Sequence, residues 1–132
     1  MRDGGAYRLF LQLTRPAWVR AGRLDRFRLE PGLYIYVGSA RRALAARVDR
    51  HRRLAERKHG NRHWHVDGLL LHGYSRLVRA ETYPDTEECA LSRGLAGDAC
   101  ASVPIAGFGA TDCRAGCPAH LYRLEPDCGE PL

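Results

Sequence analysis

The chain has 132 residues, the length of one domain and enough to bury a core without disulfide support. Its hydrophobic content of 45% and charged content of 27% exclude a disordered chain, and its formal charge of +6 favours polyanionic partners. No apolar run approaches the roughly 20 residues of a membrane-spanning helix, and the N-terminus lacks the apolar stretch of a signal peptide. These features predict a single domain over residues 1–132, in the cytoplasm and away from membranes.

The first third of the chain predicts four strands. Tyr7–Leu13 alternates with period two, which is typical of a strand with one buried side. Short strands are predicted at 17–20 and 26–29. Leu33–Val37 is apolar without alternation, which predicts a central strand covered on both faces.

A basic helix is predicted to follow the central strand. We expect Gly38 to end the strand and Ser39 to cap a helix over Ala40–Lys58, whose positive dipole end would then lie near Ser39. Residues 41–63 contain nine Arg or Lys and two acidic residues, a local charge of +7. Such a segment attracts nucleic-acid phosphates, although a solvated helix face without a partner is the alternative interpretation. The candidate nucleic-acid contacts are Ser39, Arg41, Arg42, Arg50 and Arg53.

Arg47 and His51 lie one turn apart on the helix stripe that Leu44 and Val48 turn inward. A buried guanidinium is costly unless something pairs with it. An inward Arg–His pair at a strand–helix junction can line a cleft and face a phosphate. For His51 alone, a satisfied core histidine is the simpler interpretation.

The second half predicts fewer elements. Trp64–Leu71 is predicted as a short helix or turn, Leu77–Tyr83 as a strand, and Glu87–Ala96 as a helix capped by Thr86. A last strand is predicted at His120–Leu124. The pattern as a whole indicates an α/β fold with a small, mainly antiparallel β-sheet flanked by helices.

Two tyrosine triplets, Gly5-Ala6-Tyr7 and Tyr36-Val37-Gly38, would bring both phenols to one site if their strands are neighbours. With Arg47 and His51 in the following helix and a Glu opening a later one, they resemble the GIY-YIG nuclease superfamily. More narrowly, the chain resembles an uncharacterised subfamily found alone or joined to an endonuclease III-type glycosylase. The stretches that carry this second resemblance are Gly32–Ala40, Arg47–His51, Trp64–Asp67, Glu88-Cys89, Gly107–Gly109, Asp112-Cys113 and His120-Leu121.

The resemblance implies a role for each matching residue. Tyr7 would activate the attacking water and Tyr36 would order the site. Arg47 would stabilise charge on the scissile phosphate, and His51 would assist proton transfer. Glu88 would hold a single Mg²⁺ or Mn²⁺, with Glu87 as the substitute.

The implied function is that of a metal-dependent endonuclease hydrolysing phosphodiester bonds in DNA, structure-selective and repair-related, with a DNA glycosylase or another repair protein as partner. The alternative is a catalytically weak nucleic-acid-binding module that recognises structured or damaged DNA. The superfamily usually has a late Asn near the site, and the absence of any Asn after Asn61 favours that alternative.

Cysteine spacing leaves a further possibility open. Cys113, Cys117 and His120 could bind Zn²⁺, with Cys89 or Cys100 as a fourth ligand, in a zinc-stabilised interaction domain. Buried free thiols are the simpler interpretation, because the five cysteines show no regular framework.

Polar residues in the second half of the chain are the last candidates for the site. His65 and Asp67 could line the cleft or lock a turn, and Asp112 could stand in for the late Asn. The full set of possible cleft residues is His65, Asp67, Asp112 and His120.

Overall fold

The computed structural model describes residues 3–20, 26–60, 65–106, 108 and 117–125, apart from the side chains of Arg20 and His65. Within these ranges it forms seven strands and three helices. They are β1 (Gly5–Leu13), β2 (Ala17–Arg20), β3 (Arg26–Leu29), β4 (Gly32–Ala40), α1 (Leu44–Arg57), α2 (His65–Leu70), β5 (Ser75–Pro84), α3 (Glu88–Ala96), β6 (Ala101–Ser102) and β7 (Leu121–Leu124). The predicted α/β class is confirmed.

The main sheet has five strands in the order β5-β1-β4-β7-β6, and β2 and β3 form a separate two-stranded sheet. Every pairing between the strands is antiparallel. Across β1 and β4, Tyr7 pairs with Gly38 and Leu9 with Tyr36. Residues that pair across neighbouring strands point to the same face of the sheet. The two tyrosine triplets therefore lie side by side, which meets the condition that their strands are neighbours.

A hydrophobic core covers each face of the main sheet. On one face, α1, α2 and the β2–β3 hairpin pack against Tyr7, Leu9 and Tyr36. On the other face, Leu95 of α3 packs against Phe10. The prediction that β1 has only one buried side is therefore wrong, because α3 covers the second side. The prediction that β4 is covered on both faces is confirmed.

The predicted start of the basic helix is wrong by four residues. Gly38 and Ser39 stay in β4, where they pair with Tyr7 and Ala6, and α1 begins at Leu44. Ala43, in a left-handed conformation with φ 52°, precedes the helix, and the Leu44 N–H donates to the Asp3 carbonyl at 2.9 Å. The ladder of β1–β4 hydrogen bonds outweighs the local capping signal of a single serine.

The predicted cap of the later helix is also wrong. Glu87, with extended backbone, occupies the capping position of α3. The Thr86 hydroxyl instead donates to the Pro84 carbonyl at 3.1 Å. The helix itself begins one residue later than predicted and ends at Ala96 as predicted.

None of the helices in the described part of the chain is both long and apolar enough to cross a membrane.

Candidate active site

A cleft of about 810 Å³ opens at one end of the main sheet. Its floor is formed where β1 begins, because Gly5 pairs with Ala40 on one side and Pro84 on the other. Its walls include the first residues of α3 and the end of β4. The side chains there belong to Ser39, Arg41, Thr86, Glu87, Glu88 and Cys89.

Tyr7 lies on the α1 face of the sheet, two residues after Gly5, which lines this cleft, and only 1% of Tyr7 is exposed. Its hydroxyl is 2.8 Å from Nε2 of His51, and its ring centroid is 6.3 Å from that of Tyr36. A Cβ at Gly38 would overlap the Tyr7 hydroxyl, so a glycine is required opposite this tyrosine. Both tyrosines and the histidine predicted for the site therefore meet in one cluster.

His51 joins Tyr7 to a buried carboxylate. Its Nδ1 lies 3.5 Å from Oδ1 of Asp67, which is fully buried. The tautomer with its proton on Nδ1 faces that carboxylate and leaves Nε2 to accept a hydrogen bond from the Tyr7 hydroxyl. The side chains of Tyr7, His51 and Asp67 therefore form a buried row in which each faces the next.

Arg50 neutralises the charge of Asp67, the last residue of this row. Its guanidinium donates two hydrogen bonds to the Asp67 carboxylate, at 3.2 and 3.1 Å. Asp67, a candidate for the cleft wall, therefore lies behind His51. Arg50, a candidate for nucleic-acid contact, is engaged by Asp67.

Ser39 links the two faces of the sheet. Its carbonyl accepts a hydrogen bond from Nη1 of Arg47 at 2.8 Å, on the α1 side. Its hydroxyl donates to Oε1 of Glu88 at 2.9 Å, on the α3 side. Although its capping role is not realised, Ser39 holds the predicted arginine and the predicted metal ligand on either side of one strand end.

Glu88 is a half-buried carboxylate at the start of α3. Its Oε2 lies 3.2 Å from Nδ1 of His120, and the side chain is 32% exposed toward the cleft. Burial raises the pKa of this carboxyl, but hydrogen bonds from His120 and Ser39, with the charge of His120, outweigh burial and hold the pKa below its usual value. Glu88 is therefore ionised at neutral pH. Its neighbour Glu87 is exposed.

The two phenols are neutral. Burial raises the pKa of Tyr7 above its usual value, and the charges of Glu88 and Asp67 add to this, whereas Arg47 opposes it. Burial, followed by Tyr7, Glu88 and Asp67, likewise raises the pKa of Tyr36. Of the cations in the described residues, Arg47 is the one that acts to lower both values.

The remaining basic candidates lie on the surface. Arg41, Arg42 and Arg53 are exposed, and Arg41 lines the cleft. Arg53 is ion-paired with Asp49 at 2.7 Å. Arg41 and Ser39 are therefore the two predicted nucleic-acid contacts that the cleft includes.

The possible zinc ligands that the structure brings together differ in part from the predicted set. Sγ of Cys89, Sγ of Cys117 and a ring nitrogen of His120 lie within 4.8 Å of one another. Cys100 is disulfide-bonded and so cannot be a ligand. Cys113, Asp112 and the His65 side chain lie outside the described residues.

Sequence reasoning missed the contacts that hold the site together. It proposed Asp67 as a cleft residue but did not identify Arg50 and His51 as its partners. It interpreted Ser39 as a helix cap and did not predict that Ser39 links Arg47 to Glu88. No local pattern reports these contacts, because the partners lie 17 residues apart for Arg50 and Asp67 and 49 apart for Ser39 and Glu88.

The fold and the site together define an α/β domain with a tyrosine–histidine–carboxylate cluster beside a sheet-end cleft. The chain belongs to the family described as Domain of unknown function DUF123, whose family model matches residues 6–130. No curated protein matches the chain. No solved structure matches it either.

Proposed function

We propose that the protein is a GIY-YIG-type endonuclease that hydrolyses phosphodiester bonds in DNA with one divalent metal ion. The observation that supports this most directly is the 2.8 Å contact between the Tyr7 hydroxyl and Nε2 of His51. The charge of Glu88, which lines the cleft, acts on that phenol. A phenol and an imidazole in hydrogen-bond contact can relay a proton, and a guanidinium and an ionised carboxylate beside them can bind a phosphate and a metal.

The proton path begins at the attacking water. The water transfers its proton to the Tyr7 oxygen as that oxygen releases its own proton to Nε2 of His51, so the phenol returns to its neutral form. The imidazolium that results is stabilised by the Asp67 carboxylate 3.5 Å from Nδ1. This relay avoids a free phenolate, which the burial of Tyr7 disfavours.

Arg47 provides positive charge where the phosphate would lie. Its guanidinium is fixed by the Ser39 carbonyl and acts electrostatically on Tyr7. A preorganised charge of this kind stabilises the negative charge that develops on the phosphate during attack.

Glu88 fits the requirements of a Mg²⁺ ligand. It is ionised, faces the cleft and is contacted by Ser39 at Oε1 and by His120 at Oε2, while a carboxylate has about four acceptor positions. Mg²⁺ binds through one or two carboxylates and keeps several waters. When bound, it would supply Lewis-acid stabilisation of the phosphate oxygens.

DNA as the substrate, preference for branched or damaged structures and a repair partner such as a DNA glycosylase rest on the sequence resemblance. The basic segment of residues 41–63, with Arg41 at the cleft, supports attraction of a polyanion. A chain of 132 residues has little surface for reading a base sequence beyond its cleft, which supports selection by structure over sequence.

A catalytically weak nucleic-acid-binding module is the second candidate. The observation that favours it is the burial of Tyr7, whose exposed fraction is 1% and whose pKa is raised. Water and phosphate must reach the phenol for the relay to operate.

The deciding experiment is cleavage of labelled flaps, nicks, junctions and linear duplexes in Mg²⁺ or Mn²⁺ by the parent, Glu88→Gln and Glu87→Gln. We expect cutting of branched substrates that falls by about 100-fold or more in Glu88→Gln, since one metal ligand is lost. Glu87→Gln is the matched control, because Glu87 is the exposed neighbour at the same cleft, and it should cut as the parent does. Binding without cutting by all three proteins would favour the binding module.

A further inference from the structure

We propose that Cys89, Cys117 and His120 bind a zinc ion directly behind Glu88. The three ligand atoms lie within 4.8 Å of one another, and Sγ of Cys89 is 4.0 Å from Nε2 of His120. Cys89 belongs to α3, whereas Cys117 and His120 immediately precede β7. The ion would therefore tie α3 to the segment that enters β7.

The donor set suits zinc. Thiolates and imidazole nitrogens are the ligands that Zn²⁺ prefers, at about 2.3 Å for sulfur and about 2.0 Å for nitrogen. In tetrahedral geometry these bond lengths place ligand atoms about 3.5 to 3.8 Å apart. No pair of ligand atoms is more than 4.8 Å apart, so the cluster needs to contract by less than about 1.5 Å in any pair. Both cysteines are half-buried and outside any disulfide, and His120 is 3% exposed.

The orientation of His120 supports the assignment independently of the thiols. Its Nε2 faces Cys89 while its Nδ1 lies 3.2 Å from the Glu88 carboxylate. A zinc-bound histidine usually donates its other ring N–H to a carboxylate, which fixes the tautomer and the plane of the ring. Glu88 is positioned to be that carboxylate.

In this arrangement the zinc-bound His120 would fix the position of Glu88. Zinc at His120 Nε2 would hold the proton on Nδ1, and that N–H would fix Oε2 of Glu88 at the edge of the cleft. The zinc proposal stands on the ligand geometry alone, and only its effect on cutting rests on the proposed nuclease function. His120 is then a positioning residue for Glu88.

The described residues supply three ligands, and a water molecule would complete four-coordination. Reduced, metal-free thiols and a disulfide between Cys89 and Cys117 are the two results that would contradict a zinc site.

Zinc content of the purified full-length chain, measured by elemental analysis without DNA or magnesium, tests the proposal. We expect about one zinc per chain in the parent and at least a tenfold loss in Cys89→Ser and Cys117→Ser. His59→Gln changes an exposed histidine and should keep the metal. Parent protein without zinc that also takes up no added Zn²⁺ would overturn the proposal, as would full zinc retention in both cysteine variants.

Cobalt substitution covers the case in which a cysteine variant fails to fold. Co²⁺ in the parent should give the charge-transfer absorption of thiolate ligands and the visible bands of tetrahedral coordination. Their absence after stoichiometric Co²⁺, with both thiols still reactive, would overturn the zinc site. Glu88→Gln should keep zinc but release it to a chelator about 10 to 100 times more readily, whether or not the protein cuts DNA.

Discussion

Tyr7 is held from three directions. His51 contacts its hydroxyl, Tyr36 packs against its ring, and Gly38 makes room for it on the neighbouring strand. Because the fit at Gly38 leaves no space for a methyl group, the position of the phenol is set by backbone and not only by side-chain packing. The hydroxyl is therefore presented to His51 in one orientation.

Tyr7→Phe should lower the cleavage rate by about 100-fold, because the variant keeps the ring but loses the hydroxyl that relays the proton. It should also cost about 1 to 2 kcal/mol of stability, since Nε2 of His51 loses its buried partner. Single-turnover cleavage and urea unfolding measure the two effects.

Tyr34→Phe is the matched control for this variant. Tyr34 is also buried in β4, and its hydroxyl donates to the Glu30 carbonyl at 2.6 Å. The control should lose similar stability and retain the parent's cleavage rate. Equal rates in the parent and Tyr7→Phe would remove Tyr7 from the mechanism.

At the scale of elements, an ion pair between Asp67 and Arg50 holds the start of α2 against the middle of α1. Asp67 of α2 accepts two hydrogen bonds from Arg50 and faces His51, and the carboxylate is fully buried. A buried carboxylate is tolerated only when it is paired and hydrogen-bonded. The same contact that joins the helices therefore also orients the proposed proton acceptor.

Asp67→Asn should destabilise the protein by about 1 to 3 kcal/mol, because it removes the charge that pairs with Arg50 and faces His51. It should also reduce cleavage, since the imidazolium formed at His51 loses its counter-charge. Denaturant unfolding and cleavage of the preferred substrate would be compared.

Asp49→Asn gives the comparison for Asp67→Asn. Asp49 is paired with Arg53 at 2.7 Å on the outside of α1, where an ion pair contributes little. We expect a change of less than about 0.5 kcal/mol and normal cleavage. If the two variants behaved alike, the buried row from Tyr7 to Asp67 would have no special role.

At the scale of the whole molecule, the charge is unevenly distributed. The formal charge is +6, and residues 41–63 contain nine basic residues, of which Arg47, Arg50, Arg52, Arg53 and Arg57 belong to α1. Part of this charge is neutralised within the protein, as the pairs of Arg50 and Arg53 show. Of the exposed arginines that precede α1, Arg41 lines the cleft, so it is the one we expect to contact a bound polyanion.

Arg41→Gln should weaken DNA binding about equally for all sequences and reduce the slope of log affinity against log salt by about one unit. Arg41 lines the cleft, so its phosphate contact would release one counterion. Fluorescence anisotropy over a salt series measures the slope.

Arg28→Gln serves as the control for charge alone. Arg28 lies on β3, is 49% exposed and is paired with Glu30. The same change in net charge at this site should leave the slope unaltered. A reduction of equal size in both variants would indicate attraction by net charge without a defined binding face.

The strands were the most predictable part of the fold. The period-two pattern of Tyr7–Leu13, the short strands at 17–20 and 26–29 and the apolar run of Leu33–Val37 all correspond to observed strands. These elements follow from patterns of neighbouring residues. Their ends were less predictable, because β4 continues through Gly38 and Ser39 wherever β1 offers a partner.

The residues of the site were recognisable by type, but the contacts among them were not. Tyr7 and His51 meet although they are 44 residues apart. Glu88 of α3 likewise meets His120, which immediately precedes β7. The contacts of Asp67 with His51 and Arg50 were not suggested by any sequence spacing, because the burial of its carboxylate depends on how α2 packs against α1.

By itself, the sequence determined which segments are strands and helices, where the basic charge is concentrated and which residue types could handle a phosphate. These properties depend on a few neighbouring residues and so are visible in the chain order. The tertiary structure alone decided that Ser39 bridges Arg47 and Glu88, that Asp67 is buried behind His51, and that Cys89 joins His120. Those outcomes depend on the register of β1 with β4 and on the packing of the helices, which many distant residues determine together.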